Sequence, residues 1–391
     1  MISRNSFGGA YPLKRLDEVV EFLDSKRRPV TESYRSAGPY PYFGANGQQG
    51  TIDDYIFDEP LVLLAEDGSH FGEPERGIAY RISGKTWVNN HAHVLRPKSN
   101  IDLGYLCRVL EHYDVTPFVT GTTRGKLTQA GASEILIPLP PLAEQRRIAE
   151  ILDRSDALRA RRRTVLAQLD TLTQSIFIDT FGDPAMNPKG WPVMALGDVV
   201  REKPNNGIFR KNPEYEQDDT KGIPVVWVEE LFRGSSIDTK ESRRVVPTKA
   251  EASKYGLHYG DVLFCRSSLK LDGIAFNNVY LGQDNAALFE CHLIRVQPNM
   301  SIVSPIYLNC LLRLPQMRAI AKSKSKTATM TTIDQTALCS ILVMLPLFAL
   351  QQDFARRVAA VDKLKAGHRA SLVEMEALFA SLQHRAFRGE L

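Results

Sequence analysis

Between Leu139 and Asp183 the chain reads LPPLAEQRRIAEILDRSDALRARRRTVLAQLDTLTQSIFIDTFGD, with apolar or small residues on two interleaved seven-residue rows. One row is Ile151, Leu158, Val165 and Leu172; the other is Ile148, Ser155, Leu169 and Ile176, broken at Arg162. This period predicts a long helix packed on another helix, because a strand needs a period of two. No Pro or Gly interrupts residues 144–180, so the rod runs to roughly 55 Å at 1.5 Å per residue, beyond the ordinary globular helix. The partner is predicted at the C-terminus, where a second stretch matches the first without gaps at a constant offset of 206 residues. Leu139 falls on Leu345, Pro140 on Pro346, Gln145 on Gln351, Leu158 on Leu364, Leu172 on Leu378 and Phe181 on Phe387. Its own seam reads Phe354, Val361, His368, Met375 and Leu382, beside Leu364 and Leu378. The chain is a tandem duplication in which each half ends in a long helix.

Ahead of each rod the pattern shortens. Tyr55–Phe57, Leu61–Leu64, Gly77–Ile82 and Trp87–Val88 predict strands separated by turns. The Gly- and Pro-punctuated run 38–50 predicts loops and short strands. A helix is expected from Asp102 to about His112, a loop over Thr120–Lys126, and a last strand over Ile135–Leu139. The second half repeats the order: Val225–Val228 and Asp261–Phe264 as strands, a helix within Asn309–Ala321, and a strand over Ser340–Met344. Between corresponding landmarks the second half is longer by about twenty residues, whereas the rods keep their length; a constant scaffold carries variable globular parts. The division expected is 1–142 and 183–346 for the globular domains, and 143–182 and 347–391 for the helices.

Composition narrows the class. With 391 residues, 43% apolar and 24% charged, the chain can bury sizeable cores and accommodate two or three domains. The net charge of +4 permits nucleic acid without requiring it. Five cysteines (107, 265, 291, 310 and 339) form no CxxC pair, which disfavours a zinc site or a disulfide framework. Neither a signal-type segment nor a run of eighteen apolar residues is present, so a cytoplasmic protein away from the membrane is expected.

Catalytic signatures are missing. Gly121–Lys126 resembles a phosphate loop but lacks one residue between its glycines, and Leu127 stands where Ser or Thr should bind magnesium. Asp238-Thr239-Lys240 is too short a pattern to signal a nuclease. His91 and His93 share a strand face, but packed or hydrogen-bonded histidines explain them better than metal ligands. Binding is the better reading. Thr122, Thr123, Arg124 and Lys126 in one half, and Lys322, Ser323, Lys324, Ser325, Lys326 and Thr327 in the other, make cationic, hydroxyl-rich loops suited to phosphates. Tyr40, Tyr42, Asn46, Gln48 and Gln49 lie in a Gly-rich loop, and Asn or Gln can read adenine edges through two hydrogen bonds. Arg266, Ser267 and Lys270, after Gly260-Asp261-Val262-Leu263-Phe264, join this set. Arg159, Arg161, Arg162 and Arg163 fit a solvated or partner-binding face of the first rod.

The whole plan resembles the specificity subunit of type I restriction–modification systems. The motifs that carry it are Leu139-Pro140-Pro141-Leu142-Ala143-Glu144-Gln145, the terminal Ala386-Phe387-Arg388-Gly389-Glu390-Leu391, Gly260–Phe264 and Glu66-Asp67-Gly68-Ser69; the second rod departs with Leu350-Gln351 in place of Glu-Gln. The resemblance implies an α+β chain: two mixed α/β target-recognition domains separated by two long antiparallel coiled-coil helices, in a pseudo-two-fold tandem repeat. It implies a non-catalytic subunit that reads a bipartite, asymmetric site in double-stranded DNA, with the helices setting the spacer. It further implies no cofactor in this chain, two methyltransferase subunits using S-adenosylmethionine, and two restriction subunits using ATP and magnesium. Two alternatives stay open: a specificity subunit of a methylation-only complex, and a coiled-coil scaffold that reads no DNA.

Overall fold

The computed structural model of the chain describes residues 7, 9–68, 71, 73, 76–121, 125–211, 214–215, 221–327 and 330–391. Two compact units are present: Met1–Arg163 with Ala370–Leu391, and Thr164–Arg369. Each long helix contributes to both. These helices run Leu142–Phe181 (40 residues) and Phe348–Arg388 (41 residues). Gly182 and Gly389 follow their last residues with φ of 85° and 74°, the left-handed conformation that lets a chain leave a helix and that Gly adopts without strain.

In the first unit a four-stranded antiparallel sheet has the order Val20–Phe22, Ala92–Pro97, Leu61–Ala65, Ala79–Ile82. Leu61–Ala65 is buried along its whole length, as expected of a continuous apolar run covered on both faces. A second sheet holds the hairpin Tyr40–Gly44/Gly47–Ile52, with Lys85–Val88 parallel to its first strand. Helix Leu103–Leu110 packs with Ile148 and Leu152 of the first long helix and with Phe379, Ala386 and Phe387 of the second in one core. The second unit repeats this plan. Its sheet has the order Asn205–Asn206, Leu293–Val296, Val262–Cys265, Asn277–Val279, and Leu288–Phe289 runs parallel to Ile223–Val226. Helix Pro305–Arg313 is the counterpart of Leu103–Leu110, and Phe177, Phe181, Tyr307 and Phe354 stack in its core. The expected helix within Asn309–Ala321 is two helices, Pro305–Arg313 and Pro315–Ser323, because Pro315 cannot continue the first.

The long helices pack antiparallel within each unit. Arg163 pairs with Glu376 at 2.7 Å in the first unit, and Lys365 with Asp170 at 3.1 Å in the second. One of the two expected rows is displaced by a single position. Leu158, Leu172, Leu364 and Leu378 are 39–56% exposed and do not line the seam; Ile151 and Val165 are only half-buried. The row turned inward is Gln145, Leu152, Arg159, Leu166 and Thr173, beside Ile148, Leu169 and Ile176. On the second helix it is Gln351, Val358, Lys365, Leu372 and Phe379, beside Phe354, Val361, His368, Met375 and Leu382. Polar side chains inside the seam disguised it. Arg159 lies with its guanidinium carbon 3.9 Å from the Phe379 ring centroid, a stacked arrangement that accommodates a cation among apolar groups. Burial pulls its pKa below the usual arginine value.

Gln145 and Gln351 explain the entry motif to each rod. Both are fully buried. Gln145 Nε2 donates to the Asn100 and Pro140 carbonyls (3.1 and 2.8 Å), and its Oε1 accepts from Asp102 N (2.7 Å). Gln351 does the same with Ile302, Pro346 and Ser304 N at 3.2, 2.8 and 2.9 Å. One amide thus ties the start of each rod to the globular helix beside it. Among the described residues no helix is long and apolar enough to cross a membrane.

Candidate nucleic-acid interface

In the first unit, parallel pairing of Tyr40–Gly44 with Lys85–Val88 brings three chain segments together at the strand ends. Asn89 N donates to Phe43 O (3.0 Å), Glu66 N to His91 O (2.9 Å) and Leu127 N to Glu66 O (2.8 Å). Between them lies a polar cleft of about 450 Å³, whose walls include Arg35, Asn46, Gln49, Asp67, Asn89 and His91. Asn89 Nδ2 donates to Gln49 Oε1 (3.1 Å), its Oδ1 accepts from His91 N (2.8 Å), and Asn46 Nδ2 donates to Gly68 O (3.0 Å). His91 Nδ1 lies 2.6 Å from Asp67 Oδ1. A Cβ on Gly44 would stand 2.5 Å from Gln49 Nε2 and 2.8 Å from Asn89 Nδ2, so a larger residue there would displace both amides.

A charged network underlies the cleft. Glu66 bonds Arg27 and, at 2.9 Å, Lys126. His93 is buried, with Nδ1 2.6 Å from Asp24 and Nε2 2.8 Å from Leu127 O. Burial alone would raise the Glu66 pKa, but hydrogen bonds from Arg27 and Lys126 outweigh it and hold the carboxyl below the ordinary range. Asp24, Glu66 and His93 approach closely enough to share a cation, as do Glu290, Cys291 and His292. In the first group the carboxylates already serve Arg27 and Lys126, and both ring nitrogens of His93 are bonded. In the second, Glu290 Oε2 accepts from His292 N at 2.8 Å and lies 2.7 Å from its Nδ1.

The second unit builds the same strand-end framework with other side chains. Glu290 N donates to Val226 O (3.0 Å), Arg266 N to His292 O (2.8 Å) and Ile333 N to Arg266 O (2.9 Å). By these bonds Glu290 stands where Asn89 does, Arg266 where Glu66 does, Ser267 where Asp67 does, and Thr332 where Lys126 does. Among the described residues, Glu290 Oε1, Trp227 Nε1 and Ser267 Oγ are buried without hydrogen-bond partners.

The expected contact residues divide accordingly. Asn46, Gln48 and Gln49 are exposed on the first hairpin, and Gln48 Nε2 donates to Gly50 O at 3.1 Å. Tyr40 is half-buried, its ring 5.2 Å from that of Tyr55. Tyr42 is withdrawn: it is buried, its hydroxyl accepts from Val30 N (3.0 Å) and donates to Val30 O (3.2 Å), and Arg35 covers its ring. Thr122, Thr123, Arg124 and Ser69 lie outside the described residues. Lys126 belongs to the hairpin Val119–Thr120/Lys126–Leu127, and Lys326 to the corresponding hairpin Lys326–Thr327/Thr331–Thr332, but on the opposite strand. Lys322 is helical and pairs with Asp272 at 2.5 Å; Lys324 is half-buried; Arg266, Lys270 and Lys326 are exposed and Ser267 half-buried. Asp238 and Lys240 make an ordinary turn, Lys240 N donating to Asp238 Oδ1 at 3.1 Å. Sequence reading overlooked Arg35, Asn89 and Glu290. Only the paired Asn89-Asn90 before a histidine offered a local signal, because long-range strand pairing assembles the cleft.

A duplicated α+β unit with a long helix at the end of each half, and polar strand-end sites that differ between halves, has close parallels. Residues 11–169 match the family described as the type I restriction modification DNA specificity domain. The chain is 40% identical over 151 residues to a putative type I restriction enzyme specificity subunit of Haemophilus influenzae, a match spanning 39% of each protein. It is 26% identical to the EcoKI specificity subunit of Escherichia coli over 88% of this chain and 80% of that one. In fold it is similar to the type I restriction–modification S subunit of M. genitalium, with a TM-score of 0.62 at 14% identity and 96% of both chains covered. Residues 11–169 thus carry a type I restriction modification DNA specificity domain, and the chain as a whole resembles type I specificity subunits in sequence and in fold.

Proposed function

We propose that this chain is the DNA-reading subunit of a type I restriction–modification complex, working in the cytoplasm, with each unit reading one half of a bipartite, asymmetric site. The observation that carries the reading is the pair of strand-end sites, alike in backbone framework and different at Asn89/Glu290, Glu66/Arg266 and Asp67/Ser267. Equal frameworks with unequal polar groups suit two unequal half-sites, since base edges are discriminated by donor and acceptor pattern. Exposed lysines and arginines at the neighbouring hairpins, Lys126, Arg266, Lys270 and Lys326 among them, supply phosphate contacts.

The two long helices fix the unread spacer in this reading. A 40-residue helix rises about 60 Å, more than one DNA turn of about 34 Å. The exposed leucines would dock the methyltransferase subunits. The first unit presents Leu158 and Leu378, and the second the matching Leu364 and Leu172, so two equivalent sites support two copies. Those subunits would bring S-adenosylmethionine, and two restriction subunits would bring ATP and magnesium chemistry. Removing one matched heptad from each long helix tests the ruler: the permitted spacer should change and both half-site sequences should persist. A change in half-site identity would overturn the separation of reading from measuring.

A further inference from the structure

The turn after Ser267–Ser268 holds Leu269 83% exposed. A single exposed leucine is unremarkable in a soluble protein, but three features give this one a direction. Its turn is pre-ordered. Ser268 Oγ donates to Lys270 O (2.7 Å) and accepts from Lys270 N (3.2 Å), and Gly273 N donates to Lys270 O (2.9 Å). Arg318 and Lys322 anchor Asp272, two residues after Lys270, Arg318 through its carbonyl oxygen at 2.7 Å and Lys322 through its carboxylate at 2.5 Å. Next, Ser268 pairs with Thr331 as the last pair of the antiparallel ladder, so Leu269 and Met330, itself 37% exposed, are the residues that leave the ladder at the same end. Finally, this apolar tip is bordered by exposed Arg266 and Lys270 on its own segment and by Lys326 and Thr327 on the third strand, the Thr327 hydroxyl lying 3.1 Å from that of buried Thr331.

An apolar point inside a rim of cations and hydroxyls fits a duplex: the rim takes phosphates, and leucine or methionine can enter between stacked bases. We propose that Leu269, backed by Met330, is a wedge that unstacks one base step in the half-site read by the second unit and kinks the duplex there. The inference rests on the DNA-reading function above. In the first unit the sequence places Ser69, not an apolar residue, at the position matching Leu269, so the inference concerns the second unit's half-site.

The test uses the full chain in complex with its methyltransferase subunit, on duplexes carrying 2-aminopurine at successive positions of the site. Fluorescence should rise at one step of the second unit's half-site only, with a bend measurable by energy transfer between labelled ends. Leu269→Ala should abolish both signals and weaken specific binding about tenfold while leaving the methylated sequence unchanged; Leu269→Met should retain most of both. Specific binding without unstacking, or unstacking that survives Leu269→Ala, would overturn the wedge alone. Absence of sequence-specific binding by the wild-type complex would overturn the wedge and the reading function together.

Discussion

At the residue scale, Arg108 shows how two copies of one design have diverged. In the first unit its guanidinium fills the space between helix Leu103–Leu110 and the first rod, reaching Asp153 and Glu111 at 2.7 Å and Asp156 at 3.2 Å. The corresponding position in the second unit is Cys310, and Phe379 of the first seam corresponds to Thr173. Smaller side chains at both places border a cavity of about 430 Å³ walled also by Arg313, Asp362 and Lys365. Arg108→Met should cost the first unit roughly 2–3 kcal/mol, the low end for breaking a buried pair because its carboxylate partners are a third exposed. Cys310→Ala should cost under about 1 kcal/mol, since the thiol borders a void. Denaturant unfolding read separately in each unit would check both. Acid should act on the same groups. Burial raises the Asp153 pKa, but Arg81 and Arg108 more than reverse this, and Glu66 is lowered likewise. Carboxyls lowered on folding contribute stability above their unfolded pKa of about 4 and lose it as the pH falls through the folded value. The protection factors of the Leu61–Ala65 amides, taken relative to the intrinsic exchange rate at each pH, should therefore fall below about pH 4, and less so in Arg108→Met. Protection unchanged down to about pH 2.5 would contradict the assignment.

At the element scale, the rods are held by their first turns. Removing the Gln145 amide strands two carbonyls and one N–H in the interior, so Gln145→Ala should cost about 1–3 kcal/mol, and Gln351→Ala a similar amount. Thermal melts of the two variants measure this; a loss in only one would mean that the amides are not equivalent. The rods were legible in the sequence because their period is local and repeated. The displaced row was not, since Leu158 and Leu172 follow a heptad as regular as that of Leu152, Arg159 and Thr173. Hydrophobicity alone favours the wrong one, because an arginine stacked on Phe379 looks like surface until its partner is seen. The site was legible only in part. Exposed Asn46, Gln48 and Gln49 stand out as a local polar cluster, whereas Asn89 joins them only through parallel pairing of strands some forty residues apart. Tyr42 misled for the converse reason: its hydroxyl turns inward to Val30.

At the scale of the whole molecule, duplication links reading to assembly. If the exposed leucines dock methyltransferase subunits, Leu158→Glu with Leu378→Glu should leave the chain folded and reduce the complex by one methyltransferase copy. Mass photometry of the purified complex would count the copies, and retention of two would exclude this surface as the dock. The central claim is that one chain reads two different half-sites across a fixed gap. It is tested most directly by co-expressing the chain with its methyltransferase subunit and mapping methylated adenines across a plasmid by single-molecule sequencing. The expected result is a split, asymmetric motif with an unread spacer of constant length. A contiguous motif, or a stable complex that methylates nothing, would contradict it.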